Sequence, residues 1–170
     1  MITAIWLLFV QGALGAFDTL WYHEWKVALH SRAGAARELV LHASRNFCYA
    51  ALYLMLAWWE WHGLFACLIF ALLAAEFLIT MTDFLEEDRT RKLPAGERVM
   101  HALVGGAWGA MLPFLLPEVW RWLHEPLAVV SIDRGAFAPV LGVMALGAAG
   151  FGVRDGFYAR KQSSGTVVAS

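Results

Sequence analysis

The chain has 170 residues, of which 60% are hydrophobic and 16% charged, with nine Trp and eleven Phe. Soluble domains carry about 25% charged residues, so the composition excludes an ordinary water-soluble globule, and the length leaves no room for a second, soluble domain. The formal net charge is −1 and no basic stretch has interleaved aromatics, which excludes a nucleic-acid partner.

The chain predicts an all-α integral membrane bundle of about five transmembrane helices. A membrane-spanning helix takes about 17–25 residues. The first apolar run, 2–20, has no Lys or Arg ahead of it, so it reads as a retained helix rather than a cleaved leader. Further runs follow at 46–61, 64–83, 99–116 and 136–153. The second and third are separated only by the turn around Trp61, His62 and Gly63, which makes them an antiparallel pair. Residues 1–161 thus form one transmembrane domain. Residues 162–170, small and polar, are expected to be a disordered cytoplasmic tail.

The cations alternate in density between the connections. Lys26, Arg32, Arg37 and Arg45 precede the second run, Arg89, Arg91, Lys92 and Arg98 lie between the third and fourth, and Arg154, Arg160 and Lys161 follow the fifth. Of the 13 Lys and Arg, only Arg121 and Arg134 fall on the opposite side. The positive-inside rule then places the N-terminus outside and the C-terminus in the cytoplasm, as in a multi-pass protein of a cell inner membrane. Small residues at four-residue spacing, Gly105 with Gly109, Ala145 with Ala149 and Ala148 with Gly152, suggest close helix packing.

Ionisable residues are costly inside a membrane, and here they fall in stripes toward the cytoplasmic ends. On the first helix, Asp18 and Tyr22 share a face, with His23 on a neighbouring one. Glu38, His42, Arg45 and Tyr49 are spaced 4, 3 and 4 on the second, and Glu76, Thr80, Asp83 and Glu87 repeat that spacing on the third. Glu97 and His101 are four apart on the fourth. Residues four apart share a helix face, so each Glu-x-x-x-His pair can ligate one ion. Two such pairs, bridged by carboxylates from a third helix, make a two-metal cage.

The expected metal ligands are therefore Asp18, His23, Glu38, His42, Glu76, Asp83, Glu97 and His101. Tyr22, Arg45 and Tyr49 are expected to face the substrate. Oxygen-rich ligation with some imidazole suits a divalent metal such as iron or manganese, with two ions possible. The run Glu86, Glu87, Asp88, Arg89, Arg91 and Lys92 reads as a solvated loop of local ion pairs. The expected activity is an oxidoreductase acting on a lipid-soluble substrate, with membrane lipid around it and a homo-oligomer or a larger membrane complex as possible assemblies. The alternatives are a proton- or cation-coupled carrier using Glu76 and Asp83, a haem protein with His42 and His101 as axial ligands, and an accessory subunit without chemistry of its own.

Overall fold

The computed structural model describes residues 1–164. Five long helices account for most of them: α1 Ile2–Asp18, α2 Ala36–Trp58, α3 Ala66–Thr90, α4 Ala95–Leu123 and α5 Phe137–Ser163. Four stretches, Ile2–Lys26, Gly63–Thr90, Ala95–Leu123 and Phe137–Ser163, are long and apolar enough to cross a membrane. α2 is as long, but Glu38, His42 and Arg45 interrupt its apolar sequence. Each helix outruns its apolar segment toward one end of the bundle, because the polar stripes continue the helical spacing past the apolar residues.

The surface is inverted relative to a soluble protein. Leu85 is 75% exposed, whereas Glu87, two positions on, is 1% exposed. Val143 and Leu146 on α5 are likewise turned outward, while Asp155 is buried. An apolar exterior of this extent is stable only against another apolar phase.

α2 packs along α5 and against α3, and α1 packs against α4. The α3–α4 and α1–α5 seams are much thinner. The ring therefore closes in the order α1, α4, α3, α2, α5, with two loose joints. At the end distal to the polar stripes the centre is dry and apolar: Ile5, Leu8, Leu56, Ile69, Met111, Leu115 and Trp122 are all buried. A short antiparallel pair covers this end, β1 Trp59–Trp61 against β2 Val129–Ser131, with Glu60 opposite Val130. The Arg134 Nε–H donates to the Leu56 carbonyl at 2.8 Å, tying the start of α5 to the end of α2.

Two expectations are corrected here. α5 continues to Ser163, and Gln162 donates from Nε2 to the His30 carbonyl at 3.1 Å, so the tail does not begin at 162; residues 165–170 lie outside the described residues. Gly105 and Gly109 do not mediate close packing, since a Cβ added at either meets nothing within 4 Å. Gly152, of the Ala148/Gly152 pair, does sit at a close approach, since its added Cβ would lie 3.1 Å from Phe47 and 3.3 Å from the Ala43 carbonyl. Spacing identifies a small-residue pair but not the face it occupies.

Candidate metal centre

The polar end of the bundle holds a buried cluster from four helical segments. After Asp18 the first helix widens into a π-helix, Thr19–Lys26, in which backbone bonds run from i to i+5, as in Val27 N–H to the Tyr22 carbonyl. This widening decides where His23 points. In a regular α-helix residue 23 would lie well around the cylinder from residue 18. One i→i+5 turn instead brings His23 Nε2 to 3.2 Å from Asp18 Oδ2. π-turns inside helices are common at functional sites because they re-aim side chains this way. The turn is held from outside by a bidentate ion pair between Glu24 and Arg154 of α5.

α2 supplies Glu38 and His42, α3 supplies Asp83 and Glu87, and α4 supplies Glu97 and His101. Two overlapping groups each present four ligand atoms within 4.8 Å of one another, and either could hold a metal ion. One is His23, Glu87, Glu97 and His101; the other is His23, Glu38, His42 and Glu87. Metal–ligand bonds of roughly 2.0–2.2 Å place two ligands of one ion at most about 4.4 Å apart. Ligands that are not opposite one another sit closer than this, so the groups hold the right donors together and would close further around an ion. His23 and Glu87 belong to both.

Asp18 and Asp83 flank these groups. Asp18 Oδ2 lies 3.4 Å from His101 Nε2, and Asp83 Oδ2 lies 3.2 Å from His42 Nε2 and 3.0 Å from Arg45 Nη1. Carboxylates against the imidazoles of metal-binding histidines fix ring orientation and tautomer.

Charge and unmet hydrogen bonding point the same way. Asp18, Glu38, Asp83, Glu87 and Glu97 are each 4% exposed or less, and only the guanidiniums of Arg45 and Arg91 oppose these five carboxylates. The cluster thus sets five buried carboxylates against two guanidiniums, with the imidazoles of His23, His42 and His101 as the other groups in contact, and unbalanced acidic charge there costs several kcal/mol to bury. Among the described residues, Asp18 Oδ1, His23 Nδ1 and Asp83 Oδ1 are buried without a partner, and His42 Nε2, His101 Nε2 and Glu87 Oε2 make only ion-pair contacts, to Asp83 Oδ2, Asp18 Oδ2 and His101 Nδ1, that fall short of hydrogen-bond geometry. Unmet polar atoms are rare in buried positions, and a bound cation answers both deficits.

Arg91 was expected in a solvated loop, and this is corrected. Its guanidinium is buried among Glu38, Glu87 and Glu97, with Nη2 3.0, 3.0 and 2.6 Å from their Oε1 atoms. Burial by itself lowers an arginine's pKa, but hydrogen bonding to Glu97 and the charges of Glu38, Glu97 and Glu87 reverse this and hold it above its ordinary value. Glu87, read in the same loop and left out of the expected ligands, belongs to both four-residue groups. The solvated part of that run is Asp88, Arg89 and Lys92. The signal for Glu87 was present in the sequence: it continues the Asp83 stripe by one turn.

Glu76 stands apart from these groups. Tyr49 Oη donates to its Oε1 at 2.5 Å and Thr80 Oγ1 donates to the same oxygen at 2.8 Å. Tyr22 is also outside the cluster, with its hydroxyl against Gly96 and its ring against Phe17. His30, His62 and His124 pair elsewhere, with Glu24, Glu60 and the Trp120 carbonyl. A haem between His42 and His101 does not fit, because the His23 ring lies 4.3 Å from the first and 6.1 Å from the second.

No protein-family model, curated protein or solved structure matches this chain. The reading of the site therefore rests on its own geometry.

Beside the cluster lies a cavity of about 270 Å³. Asp18, Arg45, Phe84 and His101 line it at the cluster end, Tyr49, Glu76 and Thr80 along one side, and Gln11, Tyr53 and Trp108 at the far end. It meets the exterior at the two loose seams, where Phe77 and Gly105 are exposed between α3 and α4, and Ala16 and Gly147 between α1 and α5. Gly15, Gly105 and Gly147 line it with no neighbour within 4 Å of an added Cβ, so these small residues make space rather than contact.

Proposed function

We propose that the protein is a metal-dependent membrane oxidoreductase whose dinuclear carboxylate/histidine centre acts on a lipid-soluble substrate held in the adjoining cavity. The observation that carries this is the coincidence of two groups of buried ligand-type atoms, each within 4.8 Å of one another, with a cavity that opens through helix seams and is walled by Asp18 and His101 beside them. Glu87 belongs to both ligand groups and its carboxylate can bridge, which supports two adjacent ions. The oxygen-rich set with three imidazoles favours iron or manganese. The Lys and Arg asymmetry supports placing the centre on the cytoplasmic side of a cell inner membrane.

A redox-active ion pair would supply the oxidising capacity, with dioxygen as the oxidant. The chain's own residues bind and orient. The loose α3–α4 and α1–α5 seams admit substrate from the lipid. Phe84, stacked on His101 with centroids 5.1 Å apart, presents an apolar wall beside the ligands. Arg45 fixes Asp83, and through it His42, at the boundary of cluster and cavity. The carrier reading has less support, because buried Ile69, Leu73, Met111 and Leu115 close the bundle beyond Glu76 without a polar path.

Filling the cavity tests the assignment. Gly15→Leu and Gly105→Leu place a side chain into open space. Both variants are expected to keep wild-type metal content and melting temperature while losing at least tenfold in turnover of a lipid-soluble substrate pool with dioxygen, followed by oxygen consumption. Unchanged turnover in both would remove the cavity from the reaction.

A further inference from the structure

The cavity has a selectivity that the metal centre does not need. Both hydrogen bonds that Glu76 receives fall on Oε1, and Oε2 takes none among the described residues. Glu76 is 5% exposed and lines the cavity. A carboxylate oxygen there is an acceptor awaiting a donor. Trp108 Nε1, also of the cavity wall, is a buried donor without an acceptor. An indole N–H only donates and an ionised carboxylate only accepts, so neither demand can be met by turning the side chain's own chemistry around. The rest of the wall, including Phe77, Met81, Val104, Met144 and Phe151, is apolar.

We infer that this cavity is a binding site for a single-chain lipid alcohol, whose hydroxyl donates to the free oxygen of Glu76 and whose chain lies along the apolar wall. A hydroxyl donates as well as accepts, which makes it the smallest group able to meet the free oxygen of Glu76. A ketone or ester accepts only and leaves Glu76 unmet. An alkane leaves both unmet. A fatty-acid carboxylate would face the like charges of Glu76 and Asp18. At about 270 Å³ the cavity lies at the small end of ligand sites, which run to roughly 300–1,000 Å³, a size that suits one chain and not a two-chain phospholipid.

The geometry also sets the register. Glu76 and Asp83 are seven residues apart on α3, or about 10 Å at the helical rise. A hydroxyl held by Glu76 therefore leaves a carbon further down the chain, and not the alcohol carbon, beside the ion cluster. This last point rests on the oxidoreductase reading; the binding site itself does not.

The test is direct binding to the purified full chain in lipid nanodiscs. Decan-1-ol brominated at carbon 2 is titrated against matched bromodecane and 2-bromodecanoate, read as the saturable part of the quenching of the chain's tryptophan fluorescence, above the linear quenching by bromoalkyl chains dissolved in the lipid. The alcohol is expected to quench saturably, at least tenfold more tightly than the alkane. Glu76→Gln, which keeps the shape but removes the charge, is expected to weaken the alcohol about tenfold and leave the alkane unchanged. Equal affinity for alcohol and alkane, an equal loss for both in Glu76→Gln, or tighter binding of the carboxylate would overturn the inference. No turnover or metal enters the readout, so a failure of the metal assignment leaves this result standing and a failure here leaves that assignment untouched.

Discussion

Replacing His23 with alanine is expected to abolish metal binding at both positions, not one. His23 is common to the two ligand groups, and its ring lies between His42 and His101. Loss of an outer-shell partner alone typically lowers metal affinity 10–100-fold, so loss of a shared ligand is expected to exceed about 100-fold. His42→Ala and Glu97→Ala, each in one group only, should leave about half of the wild-type metal. Elemental analysis of the three variants, purified in parallel, separates a shared ligand from a private one. Equal residual metal in all three would mean that His23 bridges nothing.

The second large effect is expected at Arg91. Its guanidinium accounts for contacts to three of the ligand carboxylates at once. Arg91→Met keeps much of the stem volume and removes the charge. Leaving buried carboxylates without their partner costs about 3–5 kcal/mol, and the metal-free protein should melt far below wild type. Divalent metal binds only the folded cluster, so its addition should recover a large part of the loss by mass action. A substitution that merely spoiled packing would lower both melting temperatures alike. Arg91→Lys restores one charge without the planar fork that reaches three carboxylates, and should fall between the two.

Much of this site was legible in the sequence because its logic is periodic. Glu38 with His42 and Glu97 with His101 read as pairs at one helical turn, and the structure directs both pairs inward to the same place. Three features were not legible, each for a physical reason. The π-turn after Asp18 changes the register at which side chains share a face, and no residue pattern in Thr19–Lys26 marks it. Arg91 sits in a dense run of charges whose ordinary fate is solvation, and only the tertiary approach of Glu38 and Glu97 buries it. Glu76 continues the Asp83 stripe at the right spacing, but two turns of helix carry it out of reach of the cluster and into the side of the cavity. Periodicity shows which face a residue occupies, while height along the helix decides which neighbour it meets.

The fold followed the same division. Apolar runs located all five helices, and the ends of those runs were not the ends of the helices. Hydropathy marks where lipid would begin, whereas backbone hydrogen bonding continues wherever the side chains allow it. Gly152 marks a close approach of helices while Gly105 borders the cavity, because nothing in a small-residue pair distinguishes a contact from a void.

The central claim is that the buried carboxylates and imidazoles hold metal. It is tested most directly by quantitative elemental analysis of the protein extracted from its membrane in mild detergent without added metal or chelator. Close to two ions of iron or manganese per chain are expected, falling below a tenth of that in His23→Ala. Wild-type protein that is folded yet carries no more transition metal than the variant would contradict it.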